Sequence, residues 1–216
     1  MIIDKLEKVY ETQRTYDGIH ISSAAKCVRQ LYYEAVINKP KNIDGKLRRV
    51  FDNGNSFHQR MMKMLFQCPE VRIVSAEIPI PENNLIKGTC DAIVAIEGKN
   101  YVVDWKSIND LQFKYLDNDG AKKEHIIQVL LYMHFFQENN GIIVYENKNT
   151  QEMREFVFSN SDYPELVNET LDKLKALQDN IKNKVVPDKP EFEDNEKWKC
   201  AYCDYKSICS ENGETK

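Results

Sequence analysis

The chain has 216 residues, of which 42% are hydrophobic and 30% charged, with a formal net charge of −4. This balance favours one domain with a buried core and excludes a uniformly basic surface of the kind that binds duplex DNA without specificity. The longest apolar runs are too short for a membrane helix, and residues 1–7 lack the basic-then-apolar pattern of a signal peptide. We therefore expect a cytoplasmic protein without membrane association.

Hydrophobic periodicity predicts a mixed order of helices and strands. Helices are expected over 2–15, from Ser22 or Ser23 to about 37, and over about 46–67, 122–138 and 162–184. Strands are expected over 71–80, 85–96, 101–108, 142–147 and 152–158, and residues 109–121 as a loop or irregular helix. This order is typical of an α/β fold with a mixed central sheet flanked by helices. We expect a first domain over 1–186 and a cysteine-rich segment over 187–216.

The most informative segment is the hairpin formed by the second and third predicted strands. Asp91 lies on the first of these strands, and Asp104 and Lys106 lie on the second. Gly98 suits a two-residue type II′ turn over 97–100. In that register Asp91 faces Lys106, and Asp104 lies on the same face because strand side chains alternate. Three charged side chains are thus expected to converge between largely apolar neighbours.

Two buried carboxylates repel each other unless a cation lies between them. Hard oxygen ligands favour Mg²⁺ or Mn²⁺, and such an ion activates water and polarises a phosphate. Lys106 would then orient or deprotonate the water, or stabilise charge on the phosphate. This combination of side chains therefore indicates phosphodiester hydrolysis by Asp91, Asp104 and Lys106. A surface hairpin with an ordinary salt bridge is the alternative interpretation.

Four further side chains support this interpretation. His58, one helical turn after Gly54, is a candidate metal ligand. A glycine inside a helix often permits the close approach of another backbone. Gln128 and Tyr132 share one face of the next long helix and are candidates to hold a phosphate or base. Arg29 is a candidate phosphate contact. A core histidine, an amide–phenol pair in the core and a solvated arginine are the corresponding structural alternatives.

The six cysteines are unevenly distributed. Cys200, Cys203 and Cys209 lie within ten residues, and Cys27, expected inside a helix, offers a fourth thiolate. In a reducing compartment such a cluster indicates metal binding rather than disulfides. Four thiolates suit either Zn²⁺ or a [4Fe–4S] cluster, and the residues alone do not separate the two.

Taken in order, these motifs resemble the CRISPR-associated, RecB-like iron–sulfur exonucleases and their viral relatives, within the PD-(D/E)xK nuclease superfamily. The resemblance covers nearly the whole chain and rests on Ser23, Cys27, Arg29, Gly54, His58, Gly88–Asp91, Asp104–Lys106, Gln128, Tyr132, Cys200, Cys203 and Cys209. Asp104 stands where the family usually has Glu, and Val28 follows Cys27 where Pro is common.

The resemblance implies a restriction-endonuclease-like core that cleaves single-stranded DNA with Mn²⁺ or Mg²⁺. It implies His58, Asp91, Asp104 and the Trp105 carbonyl as metal ligands and Lys106 as the catalytic lysine. It also implies that a [4Fe–4S] cluster on Cys27, Cys200, Cys203 and Cys209 joins the N-terminal helix to the tail.

We therefore expect a DNA exonuclease. One alternative is a DNA-binding or processing subunit that works only inside a CRISPR adaptation or viral recombination complex. Another is a structural zinc protein with a degenerate site. Cleavage polarity and oligomeric state are not fixed by these residues.

Overall fold

A computed structural model describes residues 1–192 and 196–211. The predicted segment 187–216 therefore falls partly outside the described residues, at 193–195 and 212–216. The helices are α1 Ile2–Tyr10, α2 Val28–Ile37, α3 Gly45–Leu65, α4 Asp110–Asp119, α5 Lys123–Phe136, α6 Leu166–Asn183, α7 Trp198–Ala201 and α8 Lys206–Glu211. The strands are β1 Thr12–Arg14, β2 Lys41–Ile43, β3 Arg72–Pro79, β4 Thr89–Ile96, β5 Lys99–Ile108, β6 Asn140–Asn147 and β7 Met153–Ser159.

The central sheet has five strands in the order β3-β4-β5-β6-β7. Strands β5 and β6 are parallel, and every other neighbouring pair is antiparallel. A parallel pair needs a crossover connection, and α4 and α5 supply it. The expected α/β fold with a mixed sheet flanked by helices is confirmed.

Helices cover both faces of the sheet. On one face, α5 contributes a run of buried residues from Ile126 to Met133, which packs with α2, α6 and the sheet. On the other face, Phe57 and Met61 of α3 pack against Val103 and Trp105. This sandwich explains why β4 and β5 are apolar on both sides.

Several predicted boundaries were wrong for local reasons. The first helix ends at Tyr10, because Thr12–Arg14 forms a short antiparallel ladder with Lys41–Ile43. The second helix begins only at Val28, after a 3-10 turn at Ile21–Ser23, so Cys27 is the N-cap residue and not inside the helix. Residues 110–119 form a regular helix, whose start is capped by the Asn109 side chain accepting from the Gln112 N–H at 2.9 Å.

The turn of the β4–β5 hairpin also differs from the prediction. Ile96 pairs with Lys99, so Glu97 and Gly98 are the central residues, with φ of 49° and 81°. Two positive φ values define a type I′ turn rather than type II′. The ladder ends at the pair Ala92–Val103, so Asp91 lies just beyond the last pair. The observed register differs by two residues from the one that set Asp91 opposite Lys106, and that prediction was wrong.

The C-terminal segment packs back onto α2. The Arg29 guanidinium donates from Nε to the Pro187 carbonyl at 2.7 Å and from Nη1 to the Cys209 carbonyl at 3.2 Å. The rings of Tyr33 and Tyr205 are stacked with their centroids 5.9 Å apart. These contacts hold the C-terminal segment against α2. Among the described residues, no helix combines the length and apolarity that crossing a bilayer requires.

Candidate active site

The site lies where β4 and β5 diverge, between α3 and α5. The Asp91 carboxylate accepts from the Trp105 backbone N–H at 2.9 Å through Oδ2, and its Oδ1 lies 3.0 Å from Nδ1 of His58. Asp91 therefore links α3 to β5, immediately beside Asp104. The structure brings His58, Asp91, Asp104 and Trp105 close together, and the role of these residues as metal ligands stays a prediction.

Asp104, Lys106 and Gln128 form the second half of the site. Lys106 Nζ lies 2.7 Å from Oδ2 of Asp104 and donates to Oε1 of Gln128 at 3.1 Å. The Gln128 amide donates in turn to Oδ1 of Asp104 at 3.0 Å. This closed triangle satisfies a buried amide and holds the lysine on the side of the site that faces α5.

The Asp104 carboxyl is unusually placed, since the residue is only 2% exposed. Burial raises its pKa above the ordinary value, Lys106 opposes this rise, and Asp91 adds to it. The Oδ2 atom of Asp104 is itself buried and has the Lys106 ammonium 2.7 Å away as its cationic partner.

Neighbouring groups determine both the position and the pKa of His58 and Tyr132. The hydrogen bond to Asp91 raises the pKa of His58, and burial opposes the rise. The Tyr132 hydroxyl donates to the Thr89 carbonyl at 2.7 Å, and burial raises its pKa, so that it remains a neutral phenol. Tyr132 therefore fixes the start of β4 next to Asp91.

A divalent ion fits the chemistry of these donors. Two carboxylates, an imidazole and a backbone carbonyl are the hard and borderline ligands that Mg²⁺ and Mn²⁺ accept. Within the described residues, no three His, Cys, Asp or Glu side chains converge as a finished ligand set. His58 and Asp91 are instead hydrogen-bonded to each other. The observation that favours an ion here is the closeness of the two carboxylates, since the charge of Asp91 raises the pKa of Asp104.

Two neighbours of the site were missed from the sequence. His125 lies one turn before Gln128 on α5, and its Nδ1 is 2.8 Å from the Tyr145 hydroxyl. The same hydroxyl accepts from the Lys122 N–H at 3.1 Å, and no other acceptor for its proton is present in the described part of the chain. Tyr145 therefore donates to Nδ1, which leaves His125 with its proton on Nε2. The spacing of three residues between His125 and Gln128 was the signal in the sequence that could have identified His125.

The second missed feature joins α3 to β6. Arg60 Nη2 lies 2.6 Å from Oε1 of Glu146, a nearly buried carboxylate, and Nη1 donates to Gln151 at 3.1 Å. The pair fixes the helix that carries His58. Gly54 was expected to permit a close backbone approach, but a Cβ added at this glycine would have nothing within 4 Å; that interpretation was wrong.

Arg29 is not brought to this site. It lines a separate cavity of about 120 Å³ together with all four predicted cluster cysteines, Cys27, Cys200, Cys203 and Cys209. All six cysteines are free thiols. The four thiols share this cavity without converging as a closed ligand set among the described residues. The guanidinium is used internally, on the carbonyls of Pro187 and Cys209.

The fold has known relatives among solved structures. The crystal structure of SSO0001 matches with a TM-score of 0.58 and 20% identity over 97% of this chain and 96% of that one. The alkaline exonuclease LHK-Exo of Laribacter hongkongensis matches with a TM-score of 0.56 and 12% identity over 84% and 94%. A phage-related exonuclease of Haemophilus somnus 129PT gives 0.54 and 13% over 83% and 97%.

No curated protein matches the chain by sequence. The likeness to solved structures concerns the fold, and the CRISPR-associated branch is a finer assignment than these similarities give. The model of the PD-(D/E)XK nuclease superfamily matches residues 64–210, which include both carboxylates, Lys106, Gln128 and three of the four cavity cysteines. The chain belongs to the PD-(D/E)XK nuclease superfamily.

Proposed function

We propose that this protein hydrolyses phosphodiester bonds of single-stranded DNA as an exonuclease. The observation that supports the proposal best is the pairing of Asp91 with Asp104 beside a lysine held by Gln128. Three structural neighbours with the same fold include two exonucleases, and LHK-Exo has been crystallised with dAMP. These neighbours favour DNA as the substrate class.

In this proposal His58, Asp91, Asp104 and the Trp105 carbonyl hold Mn²⁺ or Mg²⁺. The ion, when bound, lowers the pKa of water and polarises the scissile phosphate. Asp104 and Gln128 hold the Lys106 ammonium at 2.7 and 3.1 Å, so its position is set before substrate arrives. Lys106 then orients the attacking water or stabilises charge on the phosphate. A role of Gln128 and Tyr132 in substrate binding stays a prediction, because both side chains are buried and hydrogen-bonded within the protein.

The proposal extends to the four cavity cysteines. Their common cavity and the thiol state of all six cysteines favour a metal cofactor over disulfides. We assign them a [4Fe–4S] cluster, with Zn²⁺ as the alternative. Protein purified without air should contain iron and sulfide in equal amounts and absorb visible light. A colourless preparation loaded with zinc would reject the cluster and with it the CRISPR-associated branch.

The same proposal places the protein in a reducing cytoplasm, with residues 1–186 as the nuclease domain and 187–216 as the cysteine segment. Arg29 contacts the Pro187 and Cys209 carbonyls and so forms part of the surface onto which this segment docks. Its role in DNA binding stays a prediction.

A second candidate function is a processing subunit in a CRISPR adaptation or viral recombination complex. The exposed apolar side chains of α1, which has no buried residue, favour a partner protein. The isolated chain would then bind DNA without cutting it.

The test is cleavage of end-labelled single-stranded DNA with Mn²⁺, with EDTA and with the Lys106→Ala variant. We expect mononucleotides or short products only with Mn²⁺, and a loss of at least a hundredfold in Lys106→Ala. Lys114→Ala, which removes an exposed lysine on α4, is the matched control. Inert wild-type protein, or a fully active Lys106→Ala variant, would reject the proposal.

A further inference from the structure

A groove is lined in part by α5, the helix that carries Gln128, and the proposed hydrolysis does not use this groove. We name it the aromatic groove and define it by Tyr115, Lys122, Lys123, Tyr163 and Trp198. It lies between α4, the start of α5, the start of α6 and α7. Its volume is about 1220 Å³, whereas pockets for one small molecule are typically about 300–1000 Å³. The groove therefore has room for a chain of linked units.

Two large aromatic rings of the groove face solvent. Trp198 is 57% exposed and Tyr115 is 54% exposed. Exposed aromatic rings that share one concave surface indicate a binding site. Nucleobases of a single strand stack on such rings, while the bases of a duplex are already stacked within the helix.

The groove is connected to the active site through the first turns of α5. Lys122 lines the groove, and its N–H donates to the Tyr145 hydroxyl that also bonds His125. Gln128, which contacts both Asp104 and Lys106, lies six residues further along the chain. At about 1.5 Å per helical residue, Lys122 lies roughly 9 Å from Gln128 along the axis of α5. The groove and the proposed catalytic centre are therefore built on the same helix.

The charge of the groove lining differs from that of a channel that binds phosphates. Lys122 and Lys123 are matched by Asp119 and Glu124 in the lining, so the groove has no net positive charge. Affinity must then come from the rings more than from counterion release. We propose that the aromatic groove is a base-stacking subsite for single-stranded DNA beside the catalytic centre, an inference that rests on the proposed nuclease function.

Intrinsic fluorescence gives a test that does not depend on cleavage. The chain has two tryptophans, and Trp105 is only 5% exposed, so quenching by a stacked base must arise at Trp198. An oligonucleotide of about 16 nucleotides is titrated into Lys106→Ala protein in EDTA. In the Lys106→Ala protein we expect the oligonucleotide to quench the tryptophan emission. When Trp198→Phe is combined with Lys106→Ala, we expect no quenching, while fluorescence anisotropy still shows that the oligonucleotide binds.

Affinity gives the second readout. We expect Tyr115→Ala and Trp198→Ala each to weaken binding of the same oligonucleotide roughly tenfold, since stacking on one ring contributes about 1–3 kcal/mol. Phe66→Ala, which removes an exposed ring at the end of α3, is the matched control and should bind like the parent. Tyr115 lies on α4, away from the cysteines, so its variant is informative even if Trp198→Ala disturbs the tail.

Undiminished affinity in Tyr115→Ala and Trp198→Ala, or quenching that persists in Trp198→Phe, would overturn the subsite. These outcomes are independent of the nuclease proposal, because binding is measured in a background without Lys106 and without metal. Ring-dependent binding by a wild-type protein that never cleaves DNA would reject the nuclease and leave the subsite.

Discussion

Gln128 is the single uncharged side chain that touches both Asp104 and Lys106 among the described residues. We expect Gln128→Leu to slow DNA cleavage roughly 10–100-fold, the usual effect of removing a group that orients a metal ligand. The reason is that the Lys106 ammonium and the Asp104 carboxylate lose their common partner while the carboxylate remains buried. Steady-state cleavage of single-stranded DNA measures the change, with the exposed Gln67→Leu as control. Equal rates for Gln128→Leu and wild type would show that the triangle has no role in the reaction.

His125 offers a prediction about pH. Burial lowers its pKa to about 3, against an ordinary value of about 6.5. Below pH 6.5 the unfolded chain binds a proton that the native protein does not, so this residue contributes a loss of stability as pH falls from about 6.5 towards 3. We expect His125→Gln to flatten that part of the pH dependence of the unfolding midpoint in urea.

The exposed His134 on the same helix supplies the control, as His134→Gln. Nitrogen NMR of His125 at pH 5 should show a neutral ring with its proton on Nε2. A charged ring at pH 5 would contradict the donation from Tyr145.

The residues at the site differ in how visible they were in the sequence. Asp91, Asp104 and Lys106 were predicted because two carboxylates and a lysine lie on adjacent apolar strands, where a buried charge needs a partner. His125 and the Arg60–Glu146 ion pair were missed because these contacts join residues that are 20 and 86 positions apart along the chain. Such long-range pairs leave no local pattern.

At the level of elements, the crossover from β5 to β6 sets the site, because α5 must pack closely on β6. Gly141 permits this close packing, because a Cβ added at this position would lie 2.7 Å from Val129 Cγ1 and 2.8 Å from Met133 Sδ. We expect Gly141→Ala to lower the free energy of unfolding by about 1–3 kcal/mol through overpacking. Thermal and urea unfolding measure it.

Gly54 in α3 gives the opposite expectation within the same protein. A Cβ there meets nothing within 4 Å, and the residue is inside a long helix. Gly54→Ala should therefore raise the free energy of unfolding by about 1 kcal/mol. A destabilised Gly54→Ala variant would mean that the glycine serves a contact absent from the described structure.

Element types were predicted well where the hydrophobic period was long and regular, as in α3, α5 and α6. The β4–β5 register was wrong by two because the turn type was inferred from Gly98 alone, while Glu97 also takes a positive φ. The ladder of β1 with β2 was missed because each strand has three residues, too few for a periodic signal. Local propensity cannot reveal a partner strand that lies about 30 residues away.

For the molecule as a whole, the docking of residues 187–211 onto α2 depends on Arg29. Arg29→Met leaves the Pro187 and Cys209 carbonyls without their donor, which we expect to cost about 2 kcal/mol. The tail should then be cleaved faster in limited proteolysis, and the four cysteines should lose their common cavity. Arg72→Met, at an exposed strand position, is the control. Unchanged protection of the tail would show that other contacts, such as Tyr33 on Tyr205, are sufficient.

The fold brings two carboxylates on neighbouring strands beside one lysine, and we propose that a divalent ion binds there. Titration of Mn²⁺, followed by the EPR signal of the free ion, should show binding by wild type and at least tenfold weaker binding by Asp91→Asn and Asp104→Asn. The cavity thiols are too soft to favour Mn²⁺, and Asp110→Asn on α4 serves as the control. Equal Mn²⁺ affinity in the wild type and in both site variants would contradict a metal centre at these carboxylates.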